Sequence, residues 1–274
     1  MAHLAGKSGN VYVATTIIDD CEDAWVSGTH GTATLETADK SLIKVGNGSS
    51  KCVGSGVVAG DYIMHEAIAA GATNYAGFTH ALCWARSSAT TAANDLVLVI
   101  DAGAGLPAAP ETEMNFPALT AGTWKYCHLT NVTGKEIEDS TAGLTVGLEY
   151  NANAADTTIY LDDIRAAKNI AGINTWSLDY TSDALEVTDF AKVGVKEYIV
   201  GGSGWAGSFA GYKEGIPLSI GEIYGVELAE SATTTEMWLG NIIITGVHPS
   251  VGHDGVVSYS YDFQGTGNLT VAST

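Results

Sequence analysis

The sequence predicts an all-β protein, and its composition and the spacing of its strand-like runs support this fold class. Glycine is abundant, at 33 of 274 residues, while only five residues are proline. This composition is typical of short strands and tight turns rather than long helices. Runs of β-forming residues recur at intervals of roughly 10–15 residues and are broken by Gly, Asn and Ser. Because a single domain usually has ~100–200 residues, the length predicts two domains.

The first two thirds of the chain have the pattern of a β-sandwich. The opening strand is predicted at residues 9–15, and an acidic segment follows at residues 19–23. We expect a loop over residues 102–117 and a helical turn over residues 65–72. Eight further runs have strand character, and this number indicates a sandwich. They are residues 33–36, 41–45, 51–58, 78–86, 96–100, 123–129, 144–150 and 158–164.

Residues 165–172 are predicted to form a small-residue connector, and the composition changes after it. Cysteine no longer occurs, and longer strands are predicted at residues 175–180, 222–228, 236–247 and 256–263. The apolar run 237–247 is typical of a strand buried on both faces. Asp254-Gly255 predicts a hairpin turn before the last strand. The glycine-rich segment 187–204 predicts a mobile arm that becomes ordered against a neighbour.

The net charge of −19 excludes a nucleic-acid-binding surface, which needs clustered Lys and Arg. Residues 15–168 carry 19 acidic and 8 basic residues, and the remainder carries 12 and 4. Such acidity suits a conduit wall that repels DNA, and it equally serves solubility. No apolar run reaches the ~18 residues that span a bilayer, and the N-terminus lacks the apolar core of a secretory signal. We therefore expect that the chain does not insert into a membrane and that it is made without export.

The residue types that catalysis needs do not form a recognisable pattern. The seven histidines are scattered, and Gly202-Ser203-Gly204 lacks the strand and helix that flank a serine nucleophile. The four cysteines, Cys21, Cys52, Cys83 and Cys127, lack zinc-site spacing. They are expected to be buried thiols, although a pair could oxidise in a particle that has left the cell. The sequence thus predicts no enzyme and no cofactor other than a structural ion considered below.

Several motifs resemble the tail tube (major tail) proteins of long-tailed phages. They are Trp-Ser-Leu-Asp at 176–179, Val-Thr-Asp-Phe at 187–190, Gly-Trp-Ala-Gly-Ser-Phe-Ala-Gly at 204–211, Phe-Gln-Gly-Thr-Gly at 263–267 and the opening strand at 5–13. The resemblance implies hexameric rings that stack into a hollow tube, through which DNA passes without specific binding. The partners implied are further copies of the chain and other virion tail proteins. The implied location is the virion, after synthesis in the host cytoplasm.

In that family the opening strand leads within a few residues to the Trp-Ser-Leu-Asp strand, whereas many residues intervene here. This departure predicts that residues 15–168 form a domain inserted into a discontinuous tail-tube-like β-sandwich or barrel made of 1–14 and 169–274. The insert is similar to the jelly rolls of carbohydrate-binding modules. The motifs that carry this likeness are at residues 50–53, 82–88, 121–125 and 158–164.

A calcium ion is the candidate ligand of one acidic group. If the first and last strands of the insert are adjacent, as the resemblance implies, hard oxygen ligands converge there. The alternative is a set of solvated acidic turns. The residues concerned are Asp19, Asp20, Glu22, Asp162 and Asp163.

Aromatic residues supply two further sets of candidates. Trp25, Trp84 and Trp124, with Tyr75 and Tyr126 nearby, would either stack on host-surface glycans or fill the core. In the last hundred residues, aromatic side chains are expected to be anchors of the core or of a subunit interface. These are Trp205, Phe209, Trp238 and Phe190.

Three functions remain open from the sequence. The first is a tail tube subunit whose inserted domain decorates the outer wall. The second is a capsid decoration or tail terminator protein of the same fold. The third is an adhesion module that binds glycans through the jelly roll.

Overall fold

A computed structural model describes thirteen segments of the chain, and their strands confirm the predicted all-β class. The segments are residues 10–23, 25–28, 34–54, 56–68, 75–102, 110–133, 136–137, 143–151, 157–187, 195–213, 217–230, 237–251 and 255–272. Within them, sixteen strands form two sheets in which the described pairings are antiparallel. The described residues contain no helix long and apolar enough to cross a bilayer.

The strands follow one another along the chain without an intervening helix in the described segments. They are β1 (Asn10–Asp19), β2 (Val26–Ser27), β3 (Thr34–Asp39), β4 (Ser49–Gly54), β5 (Asp61–Ile68), β6 (His80–Ser87), β7 (Leu96–Ala102), β8 (Thr112–Asn115), β9 (Lys125–Thr130), β10 (Leu144–Tyr150), β11 (Thr157–Asn169), β12 (Ile173–Glu186), β13 (Tyr198–Tyr212), β14 (Ile223–Ala229), β15 (Met237–Ser250) and β16 (Ser258–Ala272).

Backbone contacts divide the chain into two compact units. The central unit comprises Tyr12–Asn169 with Ala272–Thr274, and the terminal unit comprises Met1–Val11 with Ile170–Val271. The evolutionary interpretation, in which a domain of residues 15–168 is inserted into a tail-tube-like domain of 1–14 and 169–274, stays a prediction.

The central unit is a sandwich of two β-sheets. In one sheet, β11 pairs with β6 along one edge. Along its other edge, β11 pairs first with β4 and then with β1. β3 continues this sheet beside β4, and β9 continues it beside β6. The other sheet has the order β2-β5-β10-β7-β8. Side chains of both sheets meet in one apolar core, which includes Cys83 and Leu161 from the first sheet and Met64, Leu98 and Val146 from the second.

The terminal unit contains strands in the order β12-β13-β16-β15-β14. Its buried aromatic residues pack around Trp205, whose ring centroid lies 6.1 Å from that of Phe263. Trp205 Nε1 donates a hydrogen bond of 3.1 Å to the Gly267 carbonyl. A β-carbon at Gly265 would lie 2.0 Å from the indole ring, and one at Gly240 would lie 2.5 Å away. These two glycines therefore make the space that the indole occupies.

The structure corrects four of the predicted elements in the central part of the chain. Residues 41–45 form bends instead of a strand. Residues 65–68 belong to strand β5, and the predicted loop at 102–117 contains β8. The connector predicted at 165–172 begins as a strand, since β11 continues to Asn169. In each strand the pairing partners decided the conformation, because β-structure depends more on neighbouring strands than on local propensity.

Two predictions for the terminal unit were also wrong in part. Residues 198–204 of the expected mobile arm form the beginning of β13, while 188–194 lie outside the described residues. Strand β15 is buried on both faces at residues 239–242 only, and its last residues are exposed. β15 and β16 are neighbours in the sheet, but Asp254 of the predicted turn lies outside the described residues.

Candidate functional site

The acidic candidates lie near the point where strand β11 changes its pairing partner from β4 to β1. Leu161 pairs with Ser50 at the end of β4, and Ile164 pairs with Asp19 at the end of β1. Asp162 and Asp163 lie between these two pairs, where the pairing of β11 with β6 is irregular. Asp163 has a φ of 52°, a left-handed conformation uncommon outside glycine. We call the group Asp19, Asp20, Glu22, Asp162 and Asp163 the acidic junction.

Three carboxylates of the acidic junction accept hydrogen bonds from nearby N–H groups. Asp19 Oδ1 accepts from the Cys21 amide at 2.8 Å and from Trp25 Nε1 at 3.1 Å. Asp20 Oδ1 accepts from the Glu22 amide at 3.2 Å, and Glu22 Oε1 accepts from the Asn47 amide at 2.6 Å. These bonds fix the chain on both sides of the junction.

Asp162 and Asp163 are more deeply buried than the other three. Asp162 Oδ2 accepts hydrogen bonds from the Lys44 and Val45 amides at 2.7 and 3.1 Å. Asp163 Oδ1 forms an ion pair of 2.7 Å with Arg165 Nε. Asp162 Oδ1 and Asp163 Oδ2 are buried without a hydrogen-bond partner. Two oxygens of adjacent residues are thus left unsatisfied, which is costly in an apolar interior.

Burial raises the pKa of the Asp162 carboxyl to about 6, although the Lys44 and Val45 amides oppose the increase. The negative charges of Asp163 and Glu22 act in the same direction as burial. Desolvation disfavours the charged carboxylate, and neighbouring negative charge adds to that effect. The carboxyl of Asp162 therefore titrates between mildly acidic and neutral pH.

The geometry offers little for the predicted calcium ion. Calcium takes six to eight oxygen ligands, and four of the carboxylates already accept backbone N–H groups. Among the described residues, no group of three or more His, Cys, Asp or Glu side chains is arranged to hold a metal. The two unsatisfied oxygens of Asp162 and Asp163 are the atoms that a bound ion would use. Calcium binding stays a prediction for which a melting measurement is the test.

The three tryptophans predicted to contact glycans differ in accessibility. Trp25 and Trp84 are 2% and 6% exposed, so their rings lie in the interior of the central unit. Trp124 is partly exposed. Tyr75 and Tyr126 are fully buried. Of this set, only Trp124 can present a ring to a ligand without a rearrangement, and glycan binding stays a prediction.

The predicted interface residues of the terminal unit are mostly interior. Trp205 and Phe209 are buried, and the Phe209 ring packs against Tyr261 with a centroid distance of 5.0 Å. Trp238 is partly buried, and its Nε1 donates to Glu230 Oε1 at 3.2 Å. Phe190 lies outside the described residues. Trp205 and Phe209 therefore serve the core, and an interface role for this set stays a prediction.

An exposed two-stranded ribbon was not foreseen from the sequence as a regular element. β12 and β13 remain paired as far as Glu186 opposite Tyr198, whereas β16 pairs with β13 only from Ala206 to Tyr212. We call residues 180–186 and 198–204 the ribbon. All of them are exposed except the partly exposed Gly201. The strand alternation of the segment could have indicated β-structure, but its glycines concealed it.

A second unforeseen feature crosses four strands of the central unit. Lys51 on β4, Tyr160 on β11 and Arg86 on β6 occupy matching register positions, and Trp124 directly precedes β9. The Lys51 ammonium lies 5.8 Å from the Tyr160 ring centroid, and the Arg86 guanidinium carbon lies 5.3 Å from it. Trp124 and Tyr160 have ring centroids 6.2 Å apart. We call these four residues the cation–aromatic row.

A third cluster joins Tyr12, His80 and His128 in the central unit. The two imidazole centroids lie 4.7 Å apart, and Tyr12 lies 4.3 Å from His80. Burial lowers the pKa of His80 to about 4, and burial together with the charge of His80 lowers the pKa of His128 to about 3. Both imidazoles are therefore neutral at physiological pH.

All four cysteines are buried free thiols in this structure. Cys83 of β6 and Cys127 of β9 lie opposite each other in the backbone pairing of these two strands. Burial raises the pKa of Cys52 and of Cys127 to about 12. Because the thiolate is the reactive form, these groups are poor nucleophiles.

The terminal unit contains a small depression that cannot hold a substrate. Its volume is about 10 Å³, and Ile173, Tyr212, Tyr259 and Tyr261 are among the residues that line it. A volume of this size accommodates no more than about one water molecule.

Comparisons with known proteins give weak similarities. No protein-family model matches the chain, and no curated protein matches it. Among solved structures, the tail of an empty GTA particle with C6 symmetry aligns at 18% identity and a TM-score of 0.33, covering 38% of this chain and 85% of that one. The virion of a native gene transfer agent particle aligns at 19% identity and a TM-score of 0.31, covering 38% and 88%. Similarity at this level does not establish a shared family.

Proposed function

We propose that the protein is a non-enzymatic structural subunit of a phage-like virion, in which it polymerises with itself as a tail-tube-type protein. The observation that carries the proposal is the ribbon of the terminal unit. The motifs in the last hundred residues that resemble tail tube proteins support the same assignment. The product would be stacked rings, hexameric as that resemblance implies.

The ribbon exposes apolar side chains on both of its faces. Leu185 pairs with Ile199, and Ala184 pairs with Val200. Because side chains alternate along a strand, the first pair lies on one face and Val200 lies on the other. Leu185 and Ile199 are each 52% exposed, and Val200 is 83% exposed. Tyr180 and Tyr198 add two further exposed rings.

Such a ribbon is poorly stabilised by its own chain. The seven residues of β12 in it extend about 23 Å at ~3.3 Å per residue. An isolated two-stranded hairpin is marginal in water, and exposed apolar clusters mark interaction surfaces. A second copy of the chain is the partner that satisfies both faces in a repeating assembly. Pairing between copies would also cover the outer edge of β12, which ends the sheet order.

The charge of the proposed tube domain suits passage of DNA. Residues 1–14 and 169–274 carry 12 acidic and 4 basic residues, a net charge of −8. A wall of like charge repels DNA and disfavours adhesion during passage. In this proposal the central unit projects outward, and DNA makes no specific contact with the chain.

Electron microscopy of the purified full-length chain tests the proposal. We expect hollow polymers of a single subunit that lengthen as protein concentration rises, with a sedimentation profile that shifts in parallel. Particles that bind a pre-formed capsid or tail end without polymerising would replace the tube with a decoration or terminator role. A chain that stays monomeric at all concentrations and binds no particle would refute a virion role.

A further inference from the structure

We propose that Cys83 and Cys127 form a reversible disulfide between strands β6 and β9, and that this bond stabilises the central unit in an oxidising environment. The inference goes beyond the proposed function, because it assigns a redox-sensitive modification site in the central unit. It rests on the register of the two strands, on the shared burial of the two thiols and on the different surroundings of the other two cysteines.

The register of β6 and β9 brings the two cysteines to a separation that a disulfide can span. Cys83 lies directly opposite Cys127 in this antiparallel pair. Directly opposite residues have Cα atoms about 4.5 or 5.5 Å apart, depending on whether the pair exchanges backbone hydrogen bonds. Disulfides join residues whose Cα atoms are roughly 4.4–6.8 Å apart. Both kinds of pair fall within that range, so the bond can form without a movement of the backbone.

The two thiols lie on the same face of the sheet, because directly opposite residues share a face. Both are fully buried, and both belong to the apolar core of the central unit. The pKa of the Cys83 thiol is raised well above its ordinary value, first by burial and then by the charge of Cys127. That second effect indicates that the two sulfur atoms are close. Ala81 and Ala85 precede and follow Cys83 on this face, so the neighbouring side chains of β6 are small.

The other two cysteines are placed differently. Cys52 of β4 lies opposite Ile159 of β11 and opposite Leu35 of β3. Cys21 follows the end of β1 and has a left-handed conformation, with a φ of 59°. Neither cysteine therefore has a second cysteine opposite it in a strand pair. Only the pair on β6 and β9 is held in register for a disulfide.

A small peroxide is the class of oxidant that suits buried thiols. Cys127 reacts first, because Lys125 partly offsets the effect of burial on its pKa of about 12, whereas Asp163 further raises the pKa of Cys83. A sulfur–oxygen bond forms, the oxygen–oxygen bond breaks, and the leaving hydroxide takes the thiol proton to become water. The Cys83 sulfur then attacks the sulfenic sulfur of Cys127, and the hydroxyl leaves with the Cys83 proton as a second water. Two thiols thus lose two electrons to one peroxide.

The bond would respond to the compartment in which the chain is found. Cytosolic thiols are kept reduced, whereas disulfides persist outside the cell. Because both thiols are buried and protonated at neutral pH, oxidation of the folded chain is slow. The bond closes a loop of about 45 residues, which constrains the unfolded chain and so stabilises the fold. Formation after release of a virion rests on the proposed function, but the bond itself does not, and a chain that fails to polymerise can still form it.

Treatment of the reduced full-length protein with hydrogen peroxide tests the proposal. The remaining thiols are blocked with N-ethylmaleimide in denaturant, and the peptides are identified by mass spectrometry without reduction. We expect blocked thiols at Cys21 and Cys52, and two peptides joined through Cys83 and Cys127 with the loss of two hydrogen atoms. The Tm of the oxidised protein should exceed that of the reduced protein by roughly 5–15 °C, and dithiothreitol should reverse the increase.

Cys52→Ala is the matched control, because it removes a buried thiol from the same core at a position with no opposing cysteine. This variant should keep the joined peptides and the increase in Tm, whereas Cys83→Ala and Cys127→Ala should lose both. The wild-type measurements decide alone if a variant does not fold. Any of three results for the wild type would overturn the proposal: four blocked thiols after prolonged oxidation, a disulfide that includes Cys21 or Cys52, or joined peptides without an increase in Tm.

Discussion

The indole ring of Trp205 occupies the volume that a side chain at Gly265 would need. A β-carbon at Gly265 would lie 2.0 Å from the ring, and Gly240 opposes the same ring. The ring cannot move easily, since its Nε1 donates a hydrogen bond to the Gly267 carbonyl. Close packing of this kind makes even one added methyl group unfavourable.

Gly265→Ala should therefore destabilise the terminal unit by about 1–3 kcal/mol, the usual cost of overpacking. Chemical denaturation followed by tryptophan fluorescence measures the change. Gly204→Ala is the matched control, because that glycine lies in β13 with no atom near its missing β-carbon. The packing interpretation fails if the two variants lose equal stability.

The paired imidazoles predict a loss of stability in acid. The pKa values of His80 and His128 are lowered in the folded state to about 4 and about 3, below the value of 6.5 for an unperturbed histidine. Above pH 6.5 neither state binds these protons, so the pair has no effect. As the pH falls from 6.5 toward 3, the unfolded chain binds protons that the folded chain does not, and stability decreases.

For His80 alone, the loss reaches roughly 3 kcal/mol once the pH is below the folded-state value. The variant His80→Phe with His128→Phe keeps two rings but removes the protons. We expect its Tm to exceed that of the wild type increasingly as the pH falls below 6.5. His248→Phe, which removes an exposed imidazole, is the matched control. Parallel Tm curves for all three proteins would contradict the prediction.

The sequence predicted the fold class because composition and turn residues report directly on β-structure. Strand β10 appears at the predicted bounds, Leu144–Tyr150, since its apolar residues stand at every second position, which is the period of a strand. The structure of the ribbon was not predicted, because Gly201, Gly202 and Gly204 have low strand propensity and the pairing with β12 overrides it. The cation–aromatic row was missed for a different reason. Its members are far apart in sequence, and only the register of four strands brings them together.

The acidic junction predicts that removing a charge stabilises the protein. The pKa of Asp162 is raised in the folded state to about 6, so its contribution to stability is lost as pH rises from 3.8 to 6. Asp162→Asn keeps an oxygen for the Lys44 and Val45 amides and removes the buried charge. In the presence of a chelator at pH 7.5, we expect the free energy of unfolding of this variant to exceed that of the wild type by about 1 kcal/mol, or its Tm by roughly 2–4 °C. At pH 4 the gain should disappear.

The same variant distinguishes a bound calcium ion. If calcium uses the unsatisfied oxygens of Asp162 and Asp163, added calcium raises the Tm of the wild type by mass action, and Asp162→Asn abolishes the increase. A wild-type Tm that is identical in calcium and in chelator would show that calcium does not bind at this site. It leaves the charge prediction intact, because that comparison is made without metal.

The exposed apolar pair on the ribbon predicts a variant that folds but does not assemble. Ile199→Asp places a charge opposite Leu185 on a face that we assign to contact with a second copy. Burying an unpaired charge in that contact is unfavourable by several kcal/mol, whereas the isolated chain keeps the charge in water. We expect an unchanged Tm for the dissociated protein, with loss of polymers in sedimentation and electron microscopy. Val58→Asp, at a site 56% exposed in the central unit, should assemble normally. Polymers formed by Ile199→Asp at wild-type concentrations would show that the ribbon does not mediate assembly.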